Sequence, residues 1–294
     1  MSEPADDVLA AGVLHGLDGQ PGDPVRYALE IGDAVLPVED WLERELRFET
    51  NGSTTCSACG RDTEKRYGGG YCYRCFTTLA RCDLCVVSPD RCHFDAGTCR
   101  EPAWGEAFCM GPHFVYLANS GGAKVGITRP GNVPGRFIDQ GASEAIVVMT
   151  TQTRMQAGCV EKALGRYLRE QTDWRALVAG VDAPVDLTAE LARVRRLAHD
   201  ALTALDARFP GALAWHETPE RFVFRYPVVR YDAPARQMKL APGHAVGGRL
   251  LGARGGYLLF EQGVLNVRAL SALHVVVRAA GVETLPTVTQ MELF

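Results

Sequence analysis

Nine of the ten cysteines of this 294-residue chain lie between Cys56 and Cys109. The first four form two Cys-x-x-Cys pairs, Cys56–Cys59 and Cys72–Cys75, with twelve residues between the pairs. Two such pairs suit one tetrahedral zinc ion, because each pair directs two thiolates to the same point. The sequence therefore predicts a structural zinc site here, with buried free thiols or a redox pair as the alternatives.

A second set of cysteines follows immediately. A second structural zinc ion is predicted to bind four thiolates, those of Cys82, Cys85, Cys92 and Cys99. The spacing is irregular, so three other side chains remain alternative ligands: His93, Cys109 and His113. Four thiolates also suit an iron–sulfur cluster. The segment 52–112 has few aliphatic residues, and bound metal is expected to supply on the order of 10 kcal/mol of folding free energy instead.

The composition is that of an ordinary globular protein of one to three domains, with 47% hydrophobic and 22% charged residues. No apolar run approaches the length of about eighteen residues that a transmembrane helix needs. The first seven residues are acidic and do not resemble a secretion signal. Cytoplasm is therefore the expected compartment, where cysteines are kept reduced and more often bind metal than form disulfides.

Charge is distributed unevenly along the chain, although its net value is only −4. Residues 1–50 contain twelve Asp or Glu and three Arg, which gives −9, whereas residues 220–279 contain nine Lys or Arg and three acidic residues, which gives +6. A cationic C-terminal face would favour a polyanionic partner such as nucleic acid.

The pattern of apolar runs and turns predicts an α+β fold in four segments. They are an N-terminal β segment (1–51), a double zinc-binding module (52–112), a module of alternating strands and helices (113–180), and a helix followed by a C-terminal β segment (181–294). Apolar runs within 8–50 and again after Phe222 predict strands at both ends of the chain, including a hairpin that turns at Glu261-Gln-Gly263. These strands suggest a small β-barrel into which the zinc-binding and central modules are inserted.

The third segment has the element order ββαβα. The predicted elements are a strand over His113–Asn119, a strand over Ala123–Arg129, a short helix beginning near Arg136, a strand over Ala145–Thr151 and a helix from Thr153 or Arg154 to about Asp173.

This order, with the residues that it carries, resembles the GIY-YIG nuclease domain over residues 113–173. Phe114-Val115-Tyr116 is similar to the first motif of that family and Lys124-Val125-Gly126 to the second, with lysine where the family has a tyrosine. Arg136 and Glu161 lie on the two helices where the family places an arginine and a metal-binding glutamate. The resemblance implies hydrolysis of a phosphodiester bond in DNA or RNA.

In such a site Tyr116 would orient or deprotonate the attacking water, Arg136 would steady the phosphate, and Glu161 would bind Mg²⁺ or Mn²⁺. Lys124 belongs to the same candidate catalytic set. Three basic side chains are also candidate nucleic-acid contacts: Lys124, Arg129 and Arg136.

Four short motifs together resemble an uncharacterised family of bacterial cysteine-rich zinc proteins. They are Gly97-Thr-Cys-Arg-Glu-Pro-Ala-Trp-Gly-Glu106, Val115-Tyr-Leu-Ala-Asn119, Val125-Gly-Ile-Thr-Arg129 and Arg136-Phe-Ile-Asp-Gln-Gly-Ala142. This resemblance implies no activity. A nucleic-acid-binding or RNA-modification accessory protein without cleavage, and a zinc-stapled protein–protein adaptor, therefore stand beside the nuclease as hypotheses.

Overall fold

A computed structural model describes residues 7–168, 174–181, 184–232 and 234–279. Its strands are β1 (Asp7–Gln20), β2 (Arg26–Ile31), β3 (Ala34–Pro37), β4 (Glu45–Thr54), β5 (His113–Asn119), β6 (Ala123–Thr128), β7 (Glu144–Thr151), β8 (Leu213–Val223), β9 (Val246–Arg254), β10 (Tyr257–Phe260), β11 (Gly263–Asn266) and β12 (Leu273–Ala279). Its α-helices are α1 (Tyr73–Thr78), α2 (Leu84–Val87), α3 (Pro102–Cys109), α4 (Gly135–Asp139), α5 (Arg154–Gly165), α6 (Trp174–Val178), α7 (Leu187–Leu197) and α8 (His199–Arg208). The mixed α and β content expected from the sequence is confirmed.

Strands from the two ends of the chain form one eight-stranded sheet, in the order β11-β10-β9-β4-β12-β1-β2-β3. The last strand, β12, lies between β1 and β4 and pairs antiparallel with both. Alternate residues of these strands point into one core, where Leu14, Phe48 and Val277 are fully buried. The hairpin predicted at Glu261-Gln-Gly263 joins β10 to β11. Trp41 ends a 3₁₀-helix, and β4 begins four residues later.

Part of the uneven charge of the sequence is paired between the two ends of the chain. Carboxylates near the N-terminus meet arginines near the C-terminus, in the pairs Asp23–Arg225 (2.6 Å), Glu43–Arg230 (3.6 Å) and Glu49–Arg278 (3.3 Å). Such solvent-exposed pairs each contribute little to stability. They do neutralise three of the nine positive charges that the sequence suggested would form a cationic C-terminal face.

A second, four-stranded sheet has the order β6-β5-β7-β8. Helix α5 packs on it through an apolar stripe that includes Val160 and Leu164, both fully buried. A capping box starts this helix, since Thr153 accepts from the Gln156 amide and the Gln156 side chain accepts in return from the Thr153 amide. The helix ends at Gly165, earlier than predicted, and residues 169–173 of the prediction lie outside the described residues. Helices α7 and α8 cover the same apolar face.

The cysteine-rich segment packs against the first turns of α5. Arg154 donates hydrogen bonds to the carbonyl oxygens of Cys85 (3.0 Å) and Val86 (2.7 Å). Pro89 lies so close to Gly158 that a side chain at position 158 would overlap it. The position of α5, which carries Glu161, is therefore tied to the fold of the cysteine-rich segment. Within the described ranges, no helix has the length and apolar character needed to cross a bilayer.

Candidate active site and metal centres

The sulfur atoms of Cys56, Cys59, Cys72 and Cys75 lie within 4.8 Å of one another, a spacing that could hold a zinc ion. The first pair sits in a tight turn after β4, where the Gly60 amide donates to the Cys56 carbonyl at 3.0 Å. Gly60 has φ +69°, the left-handed conformation that glycine adopts without strain. The second pair lies at the start of α1, with Cys72 as the N-cap residue.

Hydrogen bonds and mutual repulsion shift the pKa values of two of these thiols in opposite directions. Burial alone would raise the pKa of Cys56, but backbone amides outweigh it, among them the Cys72 amide at 3.2 Å from the sulfur, and the pKa falls to about 6. Burial and the neighbouring cysteines raise the pKa of Cys75 to about 12. Four thiolates therefore need a cation between them to ionise together near neutral pH.

Four cysteines of the second set line one small cavity of about 10 Å³, and these are Cys85, Cys92, Cys99 and Cys109. That volume matches a single water-sized occupant. Three of the four were predicted ligands of the second zinc ion, and Cys109 was one of the alternatives. The predicted ligand Cys82 is not among the residues that line the cavity. Burial raises the pKa of Cys82, and the positive charges of Arg100 and Arg81 partly offset this effect.

The two histidines considered as alternative ligands lie in different places. The His93 ring borders the cavity and lies 3.6 Å from the Asp83 carboxylate, which also accepts from Arg100 at 2.7 Å. The ligand atoms of Asp83, Cys85 and His93 lie within 4.8 Å of one another and form a possible second donor set. His113 is buried on β5 with Nδ1 2.9 Å from the Gly111 oxygen, and it does not border the cavity.

Three of the four candidate catalytic residues meet where β5, β6 and α4 come together. Tyr116 is fully buried, and its hydroxyl donates to Gln140 Oε1 at 3.0 Å. The Arg136 side chain is a second hydrogen-bonding neighbour of this hydroxyl. Position 126, opposite Tyr116 on β6, must be glycine, because a Cβ there would overlap the Tyr116 ring and hydroxyl. Burial raises the pKa of Tyr116, so the phenol stays protonated near neutral pH.

Lys124 and Arg136 line an open cleft of about 270 Å³, which we call the basic cleft. The side chains that matter for its chemistry are Lys124, Arg136, Asp139, Gln140, Tyr257 and Arg268. Burial, with the charges of Arg136 and Arg268, lowers the pKa of Lys124 to about 8. Among the described residues, the buried Nε of Arg136 has no hydrogen-bond partner. Perturbed groups gathered in a cleft are typical of functional sites.

Glu161 lies beside this group but opens onto a neighbouring cavity. Burial has the largest effect on the pKa of Glu161 and raises it, whereas the positive charges of Arg136 and Lys124 lower it. The neighbouring cavity is also bordered by Asp90, whose carboxylate pairs with Lys162. Two carboxylates on one cavity are donors that a hard divalent cation accepts.

Arg129, the remaining candidate for nucleic-acid contact, lies away from the basic cleft. Its guanidinium sits over the ring of Phe108 on α3, 4.5 Å from the ring centroid. In this position it joins the cysteine-rich segment to the end of β6 by a cation–π contact.

The fold also brings residues to the basic cleft that no motif identified. Arg268 and Tyr257 come from the C-terminal part of the chain, more than a hundred residues after Arg136. Arg268 donates to the Asp139 carbonyl at 3.2 Å, which holds its guanidinium beside α4. The positive charge of residues 220–279 was the one available signal, and it does not distinguish Arg268 from the arginines paired elsewhere.

Comparison with known proteins identifies the family. A family model described as "Protein of unknown function (DUF2797)" matches residues 43–275, and the chain belongs to this family. The match is compatible with the expected cysteine-rich family. No curated protein and no solved structure matched the chain.

Replacing Cys75 by serine is expected to remove metal from the first cysteine cluster. Serine is a much weaker zinc ligand than thiolate, so bound zinc should fall by about one ion per chain and the thermal unfolding midpoint should drop. Elemental analysis and calorimetry measure the two effects.

Cys159→Ala is the matched control, because Cys159 is buried on α5 near Met155 and belongs to neither cysteine set. Equal zinc content in the wild type and Cys75→Ser would contradict a zinc site at this cluster.

Proposed function

We propose that this member of the DUF2797 family binds nucleic acid and hydrolyses phosphodiester bonds, with Tyr116, Lys124, Arg136 and Glu161 as its active site. The supporting observation is their convergence. The four residues come from two strands and two helices. Their side chains nevertheless lie close enough for charges within the group to shift the pKa values of Tyr116, Lys124 and Glu161. The GIY-YIG resemblance implies phosphodiester hydrolysis for three of them, Tyr116, Arg136 and Glu161, and Lys124 stands where that family has a tyrosine.

Arg136 would bind the phosphate. A guanidinium offers donors at a fixed angle that match two phosphate oxygens, and Arg136 lines the basic cleft. Tyr116, whose proton is directed to Gln140, would hold this guanidinium in place. This differs from the role implied by the family resemblance, in which the tyrosine activates water, because a buried phenol with a raised pKa is a poor base near neutral pH.

Lys124 would take the proton of the attacking water. It occupies the position of the second motif's tyrosine, and its pKa of about 8 leaves part of the population neutral near physiological pH. In the step, the water oxygen bonds to phosphorus, the water proton passes to Lys124 Nζ, and the bond to the leaving oxygen breaks. The leaving oxygen then takes a proton from solvent.

Glu161, with Asp90 across the neighbouring cavity, would hold Mg²⁺ or Mn²⁺. A divalent ion supplies positive charge that stabilises the negative charge developing on the phosphate oxygens. Glu161 itself would contribute a carboxylate kept close to Arg136 and Lys124 by the packing of α5 on the sheet.

A binding protein without cleavage is the second candidate. The observation in its favour is that the Tyr116 hydroxyl is fully buried and already engaged with Gln140. In that case Arg136 and Lys124 would contact phosphates, and Glu161 would only balance their charge.

Glu161→Gln is expected to abolish cleavage and leave nucleic-acid affinity within about threefold of the wild type. The amide keeps the shape of the side chain and loses the charge that a divalent cation requires. Cleavage of labelled DNA and RNA with Mg²⁺ or Mn²⁺ measures the first effect, and fluorescence anisotropy measures the second.

Glu106→Gln, an exposed position on α3, is the matched control and should cleave normally. Cleavage that persists in Glu161→Gln would place the activity at another site. A wild type that binds but does not cleave any substrate would support the second candidate, a binding protein without cleavage.

The cleavage rate is expected to rise with pH and to level off above about pH 8. The reason is that Lys124 acts as a base only after losing its proton, and its pKa lies at about 8. Lys124→Arg should lower kcat and remove this rise, because a guanidinium stays protonated throughout the range. A pH–rate profile of kcat from pH 6.5 to 9.5 tests this. The same rise in Lys124→Arg and wild type would exclude Lys124 as the base.

The protein is further proposed to hold two structural zinc ions, the second of them in the cavity lined by Cys85, Cys92, Cys99 and Cys109. Cys109→Ser should then lower the zinc content by about one ion per chain, whereas Cys82→Ser should keep the wild-type content. Elemental analysis of both variants decides between this set and the one predicted from spacing. Loss of zinc in Cys82→Ser alone would restore the spacing-based set, and iron in place of zinc would indicate a cluster.

A further inference from the structure

The basic cleft has a second wall that lies outside the GIY-YIG-like segment. Lys124, Arg136 and Gln140 come from the four-stranded sheet and α4, whereas Tyr257 and Arg268 come from the C-terminal end of the eight-stranded sheet. Helix α6 contributes Trp174 between the two walls. A ligand in this cleft would therefore touch both sheets.

The charge of the cleft fits a phosphate group. Arg268 lies close enough to Lys124 to lower its pKa and donates to the backbone carbonyl of Asp139 at the end of α4. Two guanidinium groups and one amine line the cleft with one acidic side chain, Asp139, and Glu161 lies close to Arg136 and Lys124.

Arg268 differs in its charge partners from three other arginines of the C-terminal part of the chain. Arg225, Arg230 and Arg278 each pair with a carboxylate, and those pairs neutralise the surfaces on which they lie. Arg268 hydrogen-bonds only to a backbone oxygen in the described contacts, so its charge remains available to the cleft.

The aromatic side chains of the cleft fit a nucleobase. The rings of Trp174 and Tyr257 are nearly parallel, with centroids 6.2 Å apart and an angle of 19° between their planes. Both rings border the cleft that holds the cations. Stacking of a base on an aromatic ring needs the base to be unpaired, because the faces of a base inside a duplex are covered by its neighbours.

We propose that Arg268 and Tyr257 complete the basic cleft and make single-stranded nucleic acid its ligand. Arg268 would bind the phosphate together with Arg136, and a neighbouring unpaired base would stack on the Tyr257–Trp174 pair. This inference rests on the proposed function, because it assigns the substrate class to the same cleft.

The test is binding of a fluorescently labelled single-stranded oligonucleotide, measured by anisotropy without added Mg²⁺ or Mn²⁺ over a series of salt concentrations. Arg268→Ala is expected to weaken binding about tenfold and to reduce the slope of log affinity against log salt by about 1, since one phosphate contact is lost. Arg278→Ala is the matched control, because that guanidinium pairs with Glu49 on the same sheet.

Tyr257→Leu keeps an apolar side chain and removes the ring. It is expected to weaken single-strand binding about tenfold without changing the salt slope, since stacking does not displace counterions. A duplex of the same sequence should bind the wild type more weakly than the single strand does. Circular dichroism and thermal unfolding of each variant establish that the fold is retained.

Three results would overturn the inference: equal affinity of Arg268→Ala and Arg278→Ala, no effect of Tyr257→Leu, or duplex affinity equal to that of the single strand. Failure of the proposed function is separate from these results. A wild type that binds single strands through Arg268 but never cleaves them would support the cleft and remove the catalysis. Cleavage that is unaffected in Arg268→Ala would support the catalysis and remove Arg268 from the contacts with the ligand.

Discussion

The antiparallel pairing of β12 with β1 and β4 is the constraint on which the rest of the molecule depends. It inserts the last described strand between two strands from the first fifth of the chain. Everything between Thr54 and Val246 must leave this sheet and return to it. The pairing also fixes the hairpin β10–β11 and the turn that follows it, which is how Arg268 comes to lie beside α4. A cleft with residues from distant parts of the chain is a direct consequence.

The cysteine-rich segment has a supporting role in the same geometry. Its backbone accepts hydrogen bonds from Arg154, and Pro89 packs on Gly158, so it braces the helix that carries Glu161. The segment has few aliphatic side chains of its own. Its clustered thiols can ionise together only around a cation, so bound metal would stabilise the segment. Loss of metal is therefore expected to disturb Glu161 as well as the segment itself, although no cysteine lies in the basic cleft.

Local patterns in the sequence predicted much of the secondary structure. The alternation of apolar residues placed strands at both ends, the Cys-x-x-Cys spacing identified the first cluster, and Thr153 was a correct helix start because capping is a local interaction. Long-range features were not predictable in this way. Ligand spacing favoured Cys82 over Cys109, and only the packing of α3 brings Cys109 to the second cavity.

Charge shows the same limit of sequence reasoning. The excess of positive residues after position 220 predicted a cationic face, but three of these nine side chains pair with carboxylates from the first fifty residues, and a count of charges cannot reveal such pairing. Lys124, Arg136 and Glu161 were chosen by resemblance to a family motif, and the fold does bring their charges close together. Arg268 is set apart from its neighbours only by the three-dimensional arrangement.

The central claim is that Tyr116, Lys124, Arg136 and Glu161 form one phosphodiesterase site with a divalent cation at Glu161. A crystal soaked with Mn²⁺ tests it most directly, because manganese is located by its anomalous scattering. The account predicts a manganese peak within about 2.5 Å of a Glu161 carboxylate oxygen, in the cavity that Glu161 shares with Asp90. A fully occupied peak elsewhere, or no peak at the Glu161 carboxylate at saturating Mn²⁺, would contradict it.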